Sequence, residues 1–165
     1  PERGDIATFR FPDDRSVIFV KRIVGLPGDV VVLTPDGEVE INGALLALRN
    51  AGSYEDEGYR YSRVREETAP DRSHFILRST GAFHSNVQRF EVPENAYFVL
   101  GDNRDNSKDS RRWIHSYVPR EDLRGRVVYI HWSSDPETGE VRYERLGRLG
   151  GRVDLPAETP DGAGP

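Results

Sequence analysis

The sequence contains no cysteine, no methionine and no long apolar run. The absence of cysteine excludes disulfide bonds and metal sites ligated by cysteine. The longest apolar runs, at residues 17–20, 30–33 and 96–100, are far shorter than the roughly 18 residues that a membrane span requires. No signal-peptide pattern is present either. Because the chain begins at Pro1 without a methionine, we interpret it as a fragment of a longer protein.

The chain is acidic, with a formal net charge of −5 and a pI near 5.4. This balance argues against nucleic acid as the main partner. Its 165 residues, of which 36% are hydrophobic and 31% are charged, suffice for one buried core and a well-solvated surface. We therefore predict one domain, alone or with a small subdomain, and no nucleic-acid partner.

Short strand signals separated by turn residues run along most of the chain. The 16 glycines and 11 prolines favour turns over long helices. The clearest hairpin signal is the Asn42-Gly43 pair, and the wholly apolar residues 96–100 predict a central strand that is buried on both faces. Together these patterns predict a mostly β fold, with an antiparallel, barrel-like main domain. One helical turn is predicted at residues 119–123, and the last strands are predicted at residues 125–132 and 140–146.

The composition changes in the middle of the chain. Residues 50–72 are rich in Glu, Arg, Tyr and Asp and poor in aliphatic residues, which predicts a solvated insertion with one or two strands around residues 59–64. The polar end of the sequence is typical of a disordered tail. The predicted organisation is a main β domain of residues 1–46 and 91–150, a small β-rich cap of residues 47–90, and a tail of residues 151–165.

Lys21 is the first candidate for chemistry, because it lies inside an apolar strand. The period of two along a strand places it on one face with Phe19 and Ile23. Burial on such a face disfavours the ammonium form and lowers the pKa, and a neutral lysine can act as a general base. The alternative, which is the commoner case for a lysine in a strand, is an edge position with the amine in water.

The second candidate is the polar loop of residues 101–111, GDNRDNSKDSR, which directly follows the apolar strand. An exposed turn is the default interpretation of such a loop, and its spacing excludes a calcium-binding loop. A triad of Ser107, Asp109 and His115 is conceivable, but no nucleophile elbow supports it. The histidines lack the spacing of a local zinc site and are interpreted as structural or surface residues; they are His74, His84, His115 and His131.

Several blocks, in the same order, resemble bacterial type I signal peptidases, the membrane-bound serine proteases that release signal peptides. They are RGDI at residues 3–6, KRIVGLPGD at residues 21–29, DGEVEINGAL at residues 36–45 and GDNRDNSKDSR at residues 101–111. Two long motifs in the right order are far more specific than one short pattern. The resemblance does not extend to the middle insertion or the tail. It implies that the main β domain is a catalytic domain.

The resemblance implies a Ser-Lys dyad in which Lys21 is the general base and Ser107 hydrogen-bonds and orients its amine. The nucleophilic serine of this family lies in a Ser-Met-x-Pro block before the RGDI block. No serine of this sequence has that context, so we expect the chain alone to be inactive. The residues implied to support the site are Arg22, Asp102, Asp109 and Arg111, with ion pairs Arg22–Asp102 and Asp109–Arg111, and those implied to line the substrate pockets are Phe19 and Val20.

The resemblance also implies partners and a location. The expected substrates are preprotein signal peptides, bound in extended form with small residues at the −1 and −3 positions. No metal or organic cofactor is implied. An N-terminal anchor outside this sequence would hold the protein in the inner membrane, with the catalytic domain on the extracytoplasmic or periplasmic side.

Two alternatives and one departure stay open. The chain could belong to a non-catalytic homologue that binds extended peptides, or to a self-cleaving repressor-type Ser-Lys protease, although no DNA-binding module is visible. The departure follows Arg111, where the family reads W-G-x-V-P and this sequence has residues 113–119, WIHSYVP. Two extra residues and the loss of glycine leave the shape of that turn unpredicted.

Overall fold

The structure is a computed structural model, and its described residues are 1–56, 59–69, 72–79, 86–135 and 138–149. The chain divides into two compact units, residues 1–127 and residues 128–165. Regular structure within the described residues consists of strands and two short 3₁₀ turns, without an α-helix. Every ladder between the named strands is antiparallel, so the predicted mostly β, antiparallel fold is confirmed. None of the described helices has the length and apolar character needed to cross a membrane.

The strands of the first unit form three sheets. Their bounds are β1 Ile6–Phe11, β2 Asp14–Gly25, β3 Val30–Leu33, β4 Val39–Ile41, β5 Ala44–Leu45, β6 Leu48–Asp56, β7 Tyr59–Ala69, β8 Arg72–Ser79, β9 Gln88–Glu91, β10 Ala96–Leu100, β11 Val118–Pro119 and β12 Leu123–Arg126. The predicted helical turn is present as the 3₁₀ turn Arg120–Asp122.

A five-stranded sheet with the order β11-β10-β2-β1-β12 carries the candidate site. β1 and β2 form a hairpin, and the last residues of β2 pair with β10 on the other side. Arg22 lies opposite both Ile6 of β1 and Leu100 of β10. The polar loop of residues 101–111, called the site loop below, begins directly after Leu100. The topology therefore brings the start of this loop beside Lys21 and Arg22.

Two apolar clusters pack on opposite faces of β2 and β10. Because successive side chains of a strand point to opposite faces, Ile23 and Val24 enter different clusters. Phe98 at the centre of β10 is fully buried, and all five residues of β10 are buried, as the apolar run predicts. The first cluster is Ala7, Phe9, Phe11, Ile23, Tyr97, Val99, Trp113 and Val118, and the second is Val24, Val31, Leu33, Val39, Ile41, Val92, Phe98 and Leu100.

A four-stranded sheet with the order β5-β4-β3-β9 covers the second cluster. The predicted Asn42-Gly43 turn joins β4 to β5, with positive φ angles of 52° and 85° at its two residues. Two positive φ angles are characteristic of the tight turns that suit a two-residue hairpin. The amide of Asn42 also accepts a hydrogen bond from the backbone N–H of Val30 and donates one to Asp29.

The cap sheet is the three-stranded sheet β6-β7-β8. The sequence predicted one or two strands within residues 50–72, around residues 59–64, and β6 and β7 confirm this. β7 pairs with both neighbours along most of its length. β9, which follows the cap sheet, pairs with β3 instead. The predicted boundaries between the catalytic domain and the cap stay a prediction.

The second unit contains a small hairpin among its described residues. β13 (Tyr129–Ile130) pairs with β14 (Gly147–Arg148). The strand predicted at residues 140–146 is wrong, because Tyr143–Arg145 form a 3₁₀ turn and Val141 makes only an isolated β-bridge with Ser134. The strand predicted at residues 125–132 is divided between β12 and β13. The predicted tail lies outside the described residues.

Candidate active site

Lys21 lies on β2 at the edge of the first apolar cluster. It is opposite Ala7 of β1, and its Nζ atom lies 5.8 Å from the centre of the Phe19 ring. The expected shared face with Phe19 is therefore present. The side chain of Lys21 is partly buried. Burial increases along β2 from the exposed residues at its start to Ile23, and Lys21 lies within this transition.

Gly101 lies next to both the Lys21 amine and the Ser107 hydroxyl. A Cβ atom at Gly101 would lie 2.1 Å from Ser107 Oγ and 3.6 Å from Lys21 Nζ. Any side chain at this position would thus displace Ser107, and the two polar groups lie on the same side of the glycine. Ser107 is buried, but its Oγ has no hydrogen-bond partner among the described protein atoms. The expected Lys21–Ser107 hydrogen bond is not formed in this structure.

Asp109 holds the two ends of the site loop together. Its carboxylate is fully buried, forms two 2.7 Å contacts with the Arg111 guanidinium, and accepts a 3.0 Å hydrogen bond from the backbone N–H of Gly101. Burial alone would raise the pKa of Asp109, but Arg111 and the Gly101 amide outweigh it and lower the pKa below its usual value of 3.8. The pair predicted from the sequence is therefore present and charged at neutral pH.

Arg22 fastens the start of the site loop to β2. Its guanidinium donates two hydrogen bonds to the Asp102 carboxylate, at 2.9 and 2.7 Å, and a third, at 2.8 Å, to the carbonyl oxygen of Gly4. Desolvation raises the pKa of Asp102, but the Arg22 contacts outweigh it and leave the pKa lowered. This geometry is the two-pronged pairing that arginine makes best, and it joins residues 80 positions apart. The predicted Arg22–Asp102 pair is present.

Phe19 and Val20 do not share one pocket. Phe19 stacks on Phe11 with ring centres 4.5 Å apart and packs against the first apolar cluster. Val20 faces the other side of the sheet and is 51% exposed. The alternation of a strand requires this separation. A cavity of about 500 Å³ opens elsewhere, beside β1 and β12, and Ala7 is the one lining residue that lies opposite Lys21.

His115 takes no part in the alternative triad. Its Nδ1 atom lies 2.9 Å from Asp13, whose carboxylate also accepts hydrogen bonds from the backbone N–H groups of Ile114 and His115. These contacts close the turn that the sequence left unpredicted. Trp113 remains buried in the first apolar cluster. The longer segment after Arg111 is therefore accommodated without loss of the tryptophan packing.

Three charged or titratable residues near the site loop escaped the sequence analysis as site residues. Arg104 forms a buried, two-pronged ion pair with Glu66 of β7, and both side chains are at most 3% exposed. His74 of β8 lies directly opposite Glu66 in the cap sheet. Burial and the charge of Arg22 lower the pKa of His74 to about 4, against the opposing effect of Asp102 and Glu66. No local sequence pattern links these residues, since Glu66 and Arg104 are 38 positions apart.

The similarity to known proteins covers most of this architecture. Residues 1–132 match the signal peptidase family, peptidase S26, and the chain belongs to that family. It is 39% identical over 142 residues to signal peptidase I of Rickettsia typhi, covering 81% of this chain and 53% of that protein. With signal peptidase I of Pseudomonas fluorescens it shares 35% identity over 159 residues, covering 91% and 55% of the two chains.

A solved structure also resembles this chain. The crystal structure of a signal peptidase I from Enterococcus faecalis V583 is 31% identical in sequence, with a TM-score of 0.46. The match covers 76% of this chain and 95% of that one. Among the curated relatives named above, the chain spans about half of each protein's length.

Proposed function

We propose that this chain is the catalytic domain of a signal peptidase I, which cleaves signal peptides from secreted preproteins with Lys21 as the general base. The observation that supports the proposal is the packing around Gly101, where the Lys21 amine and the hydroxyl of the buried Ser107 lie on the same side of the glycine. Lys21 and Ser107 stand within the blocks that match the family. In this proposal Ser107 orients the amine of Lys21, and a different serine is the nucleophile.

In the proposed mechanism, neutral Lys21 removes the proton from a serine hydroxyl, and that serine attacks the scissile carbonyl carbon. Lys21 passes that proton to the leaving amine as the peptide bond breaks, which leaves an acyl-enzyme. The regenerated amine of Lys21 then takes a proton from the water that hydrolyses the ester, and the serine hydroxyl is restored. The proposed nucleophile is a serine in the part of the protein before Pro1. In support, the sequence contains no methionine and hence no Ser-Met-x-Pro block. Ser107 is the proposed orienting group for the amine.

The two ion pairs at the ends of the site loop are proposed to hold this arrangement in place. Arg22–Asp102 ties the loop to the residue after Lys21, and Asp109–Arg111 fixes the backbone of Gly101. A base that is held within reach of its proton donor contributes far more than one that must find it, so loop geometry matters directly for rate. These four charged residues support the site without acting on the substrate.

The proposed substrate is an extended segment with small side chains at the −1 and −3 positions. Such a segment can add to a sheet as a further strand, with alternate side chains entering shallow apolar pockets. Phe19 and Val20 are proposed to contribute to these pockets, from opposite faces of β2. The proposed location is the extracytoplasmic side of the inner membrane, with the anchor in the segment that precedes this domain.

The test compares two lysines in the longer protein that includes the upstream segment. Lys21→Ala should abolish cleavage of a signal-peptide substrate with the fold intact. Lys108→Ala removes an exposed amine from the site loop, and this variant should retain cleavage. The chain of residues 1–165 alone should not cleave. Turnover by the Lys21→Ala variant, or robust cleavage by residues 1–165, would refute the mechanism; binding of the signal peptide without cleavage by the longer protein would favour the non-catalytic homologue.

A further inference from the structure

The cap sheet is joined to the site loop by its backbone. The N–H of Leu77 in β8 donates to the carbonyl oxygen of Asp102 at 2.8 Å, and the N–H of Arg104 donates to the carbonyl oxygen of Leu77 at 3.0 Å. Leu77 of the cap and Asn103 of the site loop thus form an isolated parallel β-bridge. The loop has no ladder of its own, so these bonds fix the course of its first residues.

A buried ion pair reinforces this junction. Glu66 is fully buried and its two carboxylate oxygens contact the two terminal nitrogens of Arg104. The carbonyl oxygen of Arg104 in turn accepts a hydrogen bond from Arg111, the partner of Asp109. A continuous series of contacts therefore runs from β7 of the cap to the carboxylate that holds Gly101.

His74 lies between this buried pair and the Arg22–Asp102 pair. Its Nε2 atom is 3.6 Å from Glu66 and 3.7 Å from Asp102, and its side chain is only 9% exposed. The charged groups that face the ring are Glu66 on β7, Arg22 on β2, and Asp102 and Arg104 on the site loop. Each carboxylate already has an arginine partner, so a neutral ring fills the space between two complete ion pairs.

We propose that Glu66 and His74 are positioning residues of the active site, through which docking of the cap sheet sets the distance between Lys21 and Ser107. The inference rests on the proposed function, because it assigns the cap a part in the same reaction. Neither residue touches the reacting atoms. Glu66 acts through Arg104 on the course of the loop, and His74 keeps the two ion pairs at a fixed separation.

The first measurement uses the chain itself and does not depend on turnover. The sequence contains two lysines, Lys21 and Lys108, so a protein labelled with ¹³C-lysine gives two side-chain signals, which Lys108→Arg assigns. Glu66→Gln should shift the Lys21 signal and leave the Lys108 signal in place. The matched control is Glu67→Gln, on the opposite face of β7 in a surface pair with Arg49, which should shift neither signal. An unmoved Lys21 signal in folded Glu66→Gln would overturn the proposal.

The second measurement uses cleavage by the longer protein. Glu66→Gln should lower kcat about tenfold to a hundredfold at nearly unchanged KM, the effect expected when a reacting group is displaced by a fraction of an ångström to an ångström. His74→Gln, which keeps a side chain between the two ion pairs, should keep most of kcat, whereas His74→Ala, which empties that space, should lose it. Equal kcat in His74→Gln and His74→Ala would count against a positioning role. A wild-type protein that does not cleave at all refutes the proposed function, while the lysine signals still decide the positioning role.

A double variant separates position from stability, and it covers the case in which Glu66→Gln does not fold. Replacing a buried ion pair by apolar residues of similar size often leaves stability intact. Glu66→Leu combined with Arg104→Met should therefore fold but still show a displaced Lys21 signal and a lowered kcat. Wild-type signals and kcat in this stable double variant would show that the pair serves stability alone.

Discussion

β10 and β7 each have a neighbouring strand on both sides, but they are held in place by opposite means. All five residues of β10 are buried, and the last four, Tyr97, Phe98, Val99 and Leu100, pack into the two apolar clusters. Of the described side chains of β7, the buried ones are Glu66 and Thr68. Apolar packing tolerates small shifts, whereas a buried ion pair is stable only in one geometry. The comparison suggests that the apolar sheet supplies stability and the cap sheet supplies precise placement.

The largest expected loss of stability comes from removing a buried side chain of β10. Phe98→Ala removes a fully buried ring and should lower the free energy of unfolding by about 3–5 kcal/mol. The matched change in the cap is Phe75→Ala, because Phe75 is only partly buried, with Arg63 stacked 3.7 Å from its ring centre. That change should cost about 1 kcal/mol. Urea unfolding of both variants measures the difference, and equal losses would refute the contrast between the two strands.

The next effect comes from stranding a charge inside the site loop. Asp109→Ala leaves Arg111 without its carboxylate and removes the acceptor of the Gly101 N–H, so it should cost about 3–5 kcal/mol. Melting temperature and cleavage by the longer protein should both fall. Asp105→Ala, in the same loop but not fully buried, is the control and should cost less. A loss of activity with unchanged stability would remove the structural role assigned to Asp109.

The pH dependence of stability should carry the mark of His74. Its pKa is about 4 in the folded chain, below the ordinary value of 6.5, so the unfolded chain binds the proton more readily. The stability associated with neutral His74 is fully present above pH 6.5. As the pH falls toward 4, the free energy of unfolding should decrease by about 3 kcal/mol at most. Unfolding in urea between pH 7 and pH 4.5 measures it. His74→Gln should flatten this part of the profile, and an unchanged slope would contradict the assignment.

The smallest expected effect belongs to the outer face of the cap. Glu67 pairs with Arg49 at 3.5 Å, and both side chains are well exposed. Because such pairs are screened by solvent, Glu67→Gln should change the free energy of unfolding by less than about 1 kcal/mol. Thermal unfolding at low and high salt measures the change. A loss comparable to that of Asp109→Ala would mean that the outer face of β7 also carries structural weight.

Much of the two sheets that pack around the apolar clusters could be predicted from the sequence, because the sequence signals for them are local. The run at residues 96–100 predicted a strand buried on both faces, and Asn42-Gly43 predicted the turn at which two strands reverse. The family blocks pointed to the Arg22–Asp102 pair. In each case the residue types and their neighbours determine the structure, through side-chain burial, backbone conformation or a known motif.

The cap could not be predicted in the same way. The Glu66–Arg104 pair joins residues far apart in the sequence. No local hydrophobic pattern predicts that a charged residue in a strand is buried. Residues 140–146, predicted as a strand, contain the 3₁₀ turn Tyr143–Arg145, which the sequence did not predict.

The register of β2 has a consequence for any change in the length of its hairpin. Lys21 lies opposite Ala7, and Arg22 lies opposite Ile6. Deleting one residue early in β2 would place Arg22 opposite Ala7 and turn Lys21 to the other face, whereas an insertion would place Val20 opposite Ala7. After the deletion a guanidinium stands in place of the amine, and a guanidinium does not give up its proton in a protein. That single deletion would therefore replace the amine that the proposed mechanism uses as a base by a group that cannot serve as one.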